Sequence, residues 1–253
     1  MPPTHPFYVD WTFWAVIVAL LAVLLSQLPP VHILLRPKRL EVEVHSRLQV
    51  THQVGNPNVG LYVNIANTGG RELRVRRVQV DVSRDGKYLG ALPAQNYFET
   101  PSSQSSVLFV PFSLKPGEHW GARRELLELL RSSNRKKLYR QNQSALDADI
   151  RRKLDARPKG DEQIVVAEQS LVAPFTALFD RLFIWEPGEY VFALSVNADP
   201  GSASYTKKYR FTLYESDTLA LRKNAEDYQY GGGISYNVPR HVGVFVPLAE
   251  HVG

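Results

Sequence analysis

A mainly β fold, an antiparallel β-sandwich led by a transmembrane helix and interrupted by a basic α-helical insertion, is what the sequence predicts. Three observations carry it: a 20-residue apolar run from Val9 to Leu28, stretches between residues 40 and 213 with apolar residues on alternate positions, and a segment at about 121–160 where that spacing lengthens to the helical one. On this reading residues 1–8 precede the span and 9–30 form it. Residues 31–39 are a basic linker, 40–230 are the sandwich with its insertion, and 231–253 are a Gly-rich link and tail.

As a helix, the leading run would extend roughly 30 Å, the thickness of a bilayer's hydrocarbon core. Trp11 and Trp14 fall where aromatic rings favour the headgroup interface, and Pro29-Pro30 stops the helix at its far end. No Lys or Arg precedes the run, whereas Arg36, Lys38 and Arg39 follow it. A cleaved leader would need a basic start and a small-residue cleavage pattern, and neither is present. The charge asymmetry therefore predicts a single-pass protein of the inner membrane, its amino terminus outside and its large domain cytoplasmic. There is no cysteine, so no disulfide supports the fold.

In "LEVEVHSRLQVTHQV", residues 40–54, Leu40, Val42, Val44, Leu48 and Val50 share one parity, which describes a strand with one buried face. Leu61, Val63 and Ile65 repeat the pattern, and Asn67 to Gly70 supplies turn chemistry. In the next stretch Leu73 and Val75 are odd while Val78, Val80 and Val82 are even, so a bulge or break is expected near Arg76-Arg77. Asp85-Gly86 favours a tight hairpin. Further strands are expected through Leu108, Val110, Phe112 and Leu114, with Pro111 on an edge, then through Tyr190 to Val196 and Tyr205 to Leu213.

The stretches "LYVNIANTGGRELRV" and "EPGEYVFALSV", the second placing a Tyr after a Pro-Gly turn as in a tyrosine corner, resemble immunoglobulin-like or fibronectin-like bacterial sandwiches. The resemblance covers about half the chain and implies architecture only, because that superfold hosts unrelated activities. The disulfide and its paired Trp are missing, and Trp185 lies outside that frame.

Within 121–160, one helix is expected from Ala122 to Leu130 and a second through Leu138, Leu146, Ile150 and Leu154. This segment holds 12 Lys or Arg against 5 Asp or Glu, a net +7 beside +5 for the whole chain. The basic character is therefore local. A solvated face is the plain reading of it. The functional one is a contact with a protein partner or an anionic lipid surface through Arg131, Arg135, Lys136, Lys137, Arg140, Arg151, Arg152 and Lys153. Nucleic acid is the weaker alternative, because only Tyr139 is aromatic here and no recognition module is present. "SDTLALRKNAEDYQY" is expected to be a helix capped by Ser216, after which "GGG" at 231–233 releases the tail. In the tail, Val242, Val244, Phe245 and Val246 suit a segment that adds to a sheet edge, either of its own domain or of a neighbouring subunit.

No catalytic, cofactor or metal signature emerges. His52 shares the apolar parity and reads as a core residue, and no paired-His spacing occurs. "GNPNVGL" mimics the Gly spacing of a phosphate loop, but Leu61-Tyr62 stand where Lys and Ser/Thr are needed, so it reads as a strand connection. Together these readings predict a non-enzymatic accessory or scaffolding subunit of a membrane complex, without cofactor. The alternatives are a membrane-tethered nucleic-acid sensor or effector, and an exported adhesin or receptor-type sandwich of opposite topology.

Overall fold

The computed structural model describes residues 11–27, 36–98, 106–127, 133–158, 163–239, 241 and 243–251. Among the described residues there are eleven strands: β1 (Leu40–Gln53), β2 (Asn56–Asn67), β3 (Leu73–Arg84), β4 (Lys87–Phe98), β5 (Val107–Leu108), β6 (Phe112–Leu114), β7 (His119–Leu127), β8 (Gly188–Asp199), β9 (Tyr205–Leu213), β10 (Val244–Pro247) and β11 (Ala249–Glu250). The described α-helices are α1 (Trp11–Gln27), α2 (Ser133–Asp155), α3 (Gln169–Leu182) and α4 (Glu215–Arg222), the last running into a 3-10 helix at Lys223–Tyr230.

Every strand pairing is antiparallel, in the order β10-β1-β2-β7-β4-β3-β8-β9-β11. Three strands, β4, β10 and β11, turn this path into a closed sandwich. β4 pairs with β3 as far as Pro93 and with β7 from Ala94, changing sheets at a residue that has no N–H to donate. On the opposite edge, β10 lies against β1 and β11 against β9, with Leu248 N–H bonded to the Ser46 carbonyl at 2.8 Å between them. The path thus begins and ends on the same few residues of the tail, which cover β1 from Arg47 to Val50 and β9 at Tyr209 and Arg210.

The alternating apolar residues form the core. Leu48, Val50, Leu61, Val63 and Ile65 face Val78, Val80, Phe192, Leu194 and Val196, all essentially inaccessible, and each such side chain contributes about 1.5–3 kcal/mol on burial. In β3, Leu73 and Val75 and then Val78, Val80 and Val82 are all buried, because the register with β8 shifts between Val75 and Arg77. Asp85 and Gly86 have φ of 48° and 80°, the conformation of a two-residue hairpin. The Tyr190 hydroxyl lies 2.7 Å from the Glu186 carbonyl four residues upstream, a tyrosine corner. Asn67 mimics backbone: its Nδ2 donates to Arg71 and Leu114 carbonyls, and its Oδ1 accepts from Gly69 N–H.

Other expectations require correction. The leading helix α1 has 17 residues, which at about 1.5 Å each reach about 25 Å. Among the described residues no helix is long and apolar enough to cross a membrane, so the transmembrane helix and the single-pass inner-membrane placement are overturned. With them go the anchoring roles of Trp11, Trp14, Arg36, Lys38 and Arg39, all of which are solvent-exposed here. Residues 1–8 and 28–35 lie outside the described residues.

Residues expected to start a helix at Ala122 belong instead to β7, whose backbone is taken up on both sides by β2 and β4. Ladder pairing on two edges outweighs a helical spacing of three leucines. The stretch around Pro111 splits into β5, which pairs with β4, and β6, which pairs with β3, leaving Leu108 and Val110 exposed. The cap of α4 is Tyr214, whose N–H donates to Asp217 Oδ2 at 3.0 Å, rather than Ser216. α3, in a stretch to which the sequence reading assigns no element, carries Pro174 inside it.

Candidate functional site

A polar concavity is built on the outward face of β1 and β2. Because Leu48, Val50 and His52 point inward, Gln49, Thr51 and Gln53 point outward, and the register sets Gln49 opposite Gly60, Thr51 opposite Asn58 and Gln53 opposite Asn56. Across the sheet, Gly60 is in register with Glu125 of β7, and Glu125 with Asn96 of β4. Gly60 keeps this floor open, since a Cβ there would meet Gln49 Oε1 at 2.6 Å. The 3-10 helix and the first part of the tail form the opposite wall through Asn224, Gly233, Asn237, Val238, Pro239 and His241. The cleft measures about 510 Å³, within the range of ligand sites.

That wall exists because the three glycines fold the chain back instead of releasing it. Gly231 and Gly233 take φ of 80° and 72°, and Gly232 N–H bonds to the Asp227 carbonyl. A Cβ on Gly232 would meet Val238 Cγ2 at 2.6 Å. α2 holds the same turn from outside: Gln143 Nε2 donates to the Ile234 carbonyl at 3.0 Å, and Ser235 Oγ to Asp147 Oδ1 at 2.5 Å.

Two acceptors of the cleft are unfilled. Asn58 Oδ1 and Asn224 Oδ1 are buried with no hydrogen-bond partner among the described residues, a condition that costs about 1–3 kcal/mol for each buried group. Beside them His241 Nε2 lies 2.7 Å from Asp227 Oδ2, both side chains nearly buried, which fixes the wall to the 3-10 helix. His52 closes the inner end. Its Nδ1 accepts from Gly55 N–H at 3.1 Å, so its Nε2 carries the proton and donates to the Leu221 carbonyl at 2.9 Å. Rings of Phe179 and Phe183 stand 5.2 and 5.4 Å away. Burial pushes the His52 imidazole down to about 4, against the Leu221 hydrogen bond, and nearby His241 adds to the fall. His52 is thus a neutral structural histidine.

The residues singled out from the sequence lie elsewhere. Arg131 is outside the described residues, and Arg135 and Lys136 lie in the first turn of α2. Lys137, Arg140 and Arg151 are exposed. Arg152 and Lys153 are engaged within the chain: they lie 2.5 and 2.7 Å from the two oxygens of Asp149, which is only 5% exposed and also accepts from Glu168 N–H. The Lys153 hydrogen bond, opposed by burial and reinforced by Glu168 N–H and Arg152, holds the Asp149 carboxyl down to about 2. In the tail, Val246 is buried against β1, Val244 is partly buried, Phe245 is exposed and Val242 is outside the described residues. Among the described residues no group of three or more His, Cys, Asp or Glu could hold a metal.

The cleft residues carry no local motif, being spread from Gln49 to His241. One signal does point to them. In a chain that is 22% charged, residues 48–70, 88–98 and 228–239, which supply most of the lining, contain no Asp, Glu, Lys or Arg.

No family model matches the chain, and no curated protein does. Among solved structures, a protein from Archaeoglobus fulgidus known from its crystal structure is similar at 7% identity and a TM-score of 0.28, over 70% of this chain and 97% of that one. A likeness that slight carries no argument about fold or activity.

Proposed function

We propose that the chain is a non-enzymatic accessory or scaffolding subunit that works by holding a partner protein, with the amide-lined cleft as the place where it holds. The observation that carries this reading is the lining itself: Gln49, Gln53, Asn58, Asn96, Asn224 and Asn237 converge on one cavity. Carboxamides neither ionise near neutrality nor attack a substrate, whereas they donate and accept hydrogen bonds in fixed directions. Such a set recognises rather than reacts.

A photo-crosslinking residue at exposed Asn237, on the rim, tests the reading in the cell that makes the protein. A discrete adduct with another protein, absent when the same residue replaces exposed Lys208 on the far sheet, is expected. Equal adducts from both positions, or none from Asn237, would sink it.

A further inference from the structure

We infer that two copies of the chain pair through β5, antiparallel and about a two-fold axis, so that a sheet of one copy runs on into the other. This goes beyond the binding-subunit reading above and does not depend on it.

The hydrogen-bond phase defines the edge. β5 meets β4 with Val107 opposite Tyr97 and Leu108 opposite Asn96, and Phe109 N–H continues the ladder to the Gln95 carbonyl. Bonded and non-bonded pairs alternate in an antiparallel ladder. Val107 and Phe109 therefore turn their backbone groups to β4, and Leu108 turns its N–H and C=O away from it. Among the described residues no strand pairs with β5 on that side.

What this edge presents is apolar and open. Leu108 is 71% exposed and Val110 62%, and no Asp, Glu, Lys or Arg occurs from residue 101 to 114. Edges that stay single are commonly guarded by charge. The uncovered part of β1 has exposed Glu41 and Glu43, and β11 has exposed Glu250, whereas β5 has no such guard. β5 is also held from behind: the ring of Phe109 stands 6.1 Å from that of Phe112, which stacks at 4.8 Å on Trp120. A strand fixed in this way loses little freedom on pairing.

The occupant follows from symmetry. Setting Leu108 opposite Leu108 of a second copy puts two outward-turned residues in one bonded pair, which exchanges both N–H···O=C bonds. Ser106 then comes opposite Val110, and nowhere from 101 to 114 does a charge meet its like. A foreign strand is selected through side-chain pockets or counter-charges. Neither is at hand, since the segment is uncharged and the clefts of about 510 and 420 Å³ are lined by no residue of 106–111. An isologous pairing needs only an edge that matches itself.

Because the chain has no cysteine, a single one reads the pairing in the full-length protein. Two Leu108 residues in a bonded pair have Cα atoms about 5.5 Å apart, a separation that a disulfide spans. With oxidised glutathione, Leu108→Cys is expected to form a disulfide-linked dimer at least about tenfold faster than Lys208→Cys, on the exposed face of β9. Val110→Lys added to Leu108→Cys is expected to slow the linkage by about tenfold or more. The unfolding midpoint should hold, since Val110 is largely solvated. No dimer, equal linkage from Lys208→Cys, or indifference to Val110→Lys overturns the inference. So does a photo-crosslinking residue at Leu108 that captures a different protein in the cell and no second copy. The cross-link from Asn237 is read separately, so its absence overturns the binding-subunit reading and leaves the β5 pairing standing.

Discussion

The indole N–H of Trp185 donates to the backbone carbonyl of Thr51 at 2.8 Å, joining residues 134 positions apart. Trp185 is fully buried, packs 5.6 Å from the ring of Tyr190, and offers its own carbonyl to the Thr218 hydroxyl at 3.0 Å. One side chain thus ties the strand that floors the cleft to the tyrosine corner and to α4. Trp185→Phe keeps an aromatic ring but strands the Thr51 carbonyl and leaves a void. A loss of about 2–4 kcal/mol in urea unfolding is expected, and an unchanged midpoint would show that the tie is dispensable.

Tyr190 makes a second, pH-dependent contribution. Its phenol is pushed up to about 12, chiefly by burial and against the pull of Arg84. The folded-state value lies above the ordinary one near 10, so the stabilisation is complete below about pH 10 and is lost as pH rises toward 12. Tyr190→Phe should lower stability at neutral pH by about 1–2 kcal/mol through the lost hydrogen bond and flatten the fall between pH 10 and 12. An identical alkaline slope in the variant, followed by circular dichroism, would contradict the assignment.

His52 acts at the other end of the scale. Its folded-state value near 4 lies below the ordinary 6.5, so the unfolded chain binds the proton first and stability falls as pH drops from about 6.5 to 4. The shift corresponds to about 3 kcal/mol over that interval. His52→Gln should be less stable at pH 7 and show a shallower decline of melting temperature between pH 7 and 4.5. Asp149 follows at lower pH, its contribution being lost between about 3.8 and 2 as it is protonated.

Closure of the sandwich depends on the tail. Val246 is 3% exposed, and β10 and β11 cover β1 at Arg47–Val50 and β9 at Tyr209 and Arg210. Val246→Asp should cost about 3 kcal/mol or more. Deletion of residues 244–253 should uncover two strand edges and produce concentration-dependent aggregation. Light scattering of the truncated chain checks this, and a monodisperse, native-like product would show that the ring closes without its tail.

Residue types alone were enough to determine the strands whose apolar residues alternate, the bulge at Arg76-Arg77, the Asp85-Gly86 hairpin and the inward placement of His52. Each of these follows from a period of two or from a local backbone preference, and neither needs a distant partner. β7, the split at Pro111 and the reach of α1 were decided by which neighbours were present and where the helix ended. The cleft belongs wholly to tertiary structure. Gln49, Asn58, Asn96, Asn224 and His241 mean nothing as neighbours in the chain, and meet only because the register of β1, β2 and β4 sets the floor while the glycine turn at 231–233 brings the opposite wall back over it. Hydrogen-bonding groups act over about 3 Å, so their joint chemistry is written by the closing of the chain and not by its order.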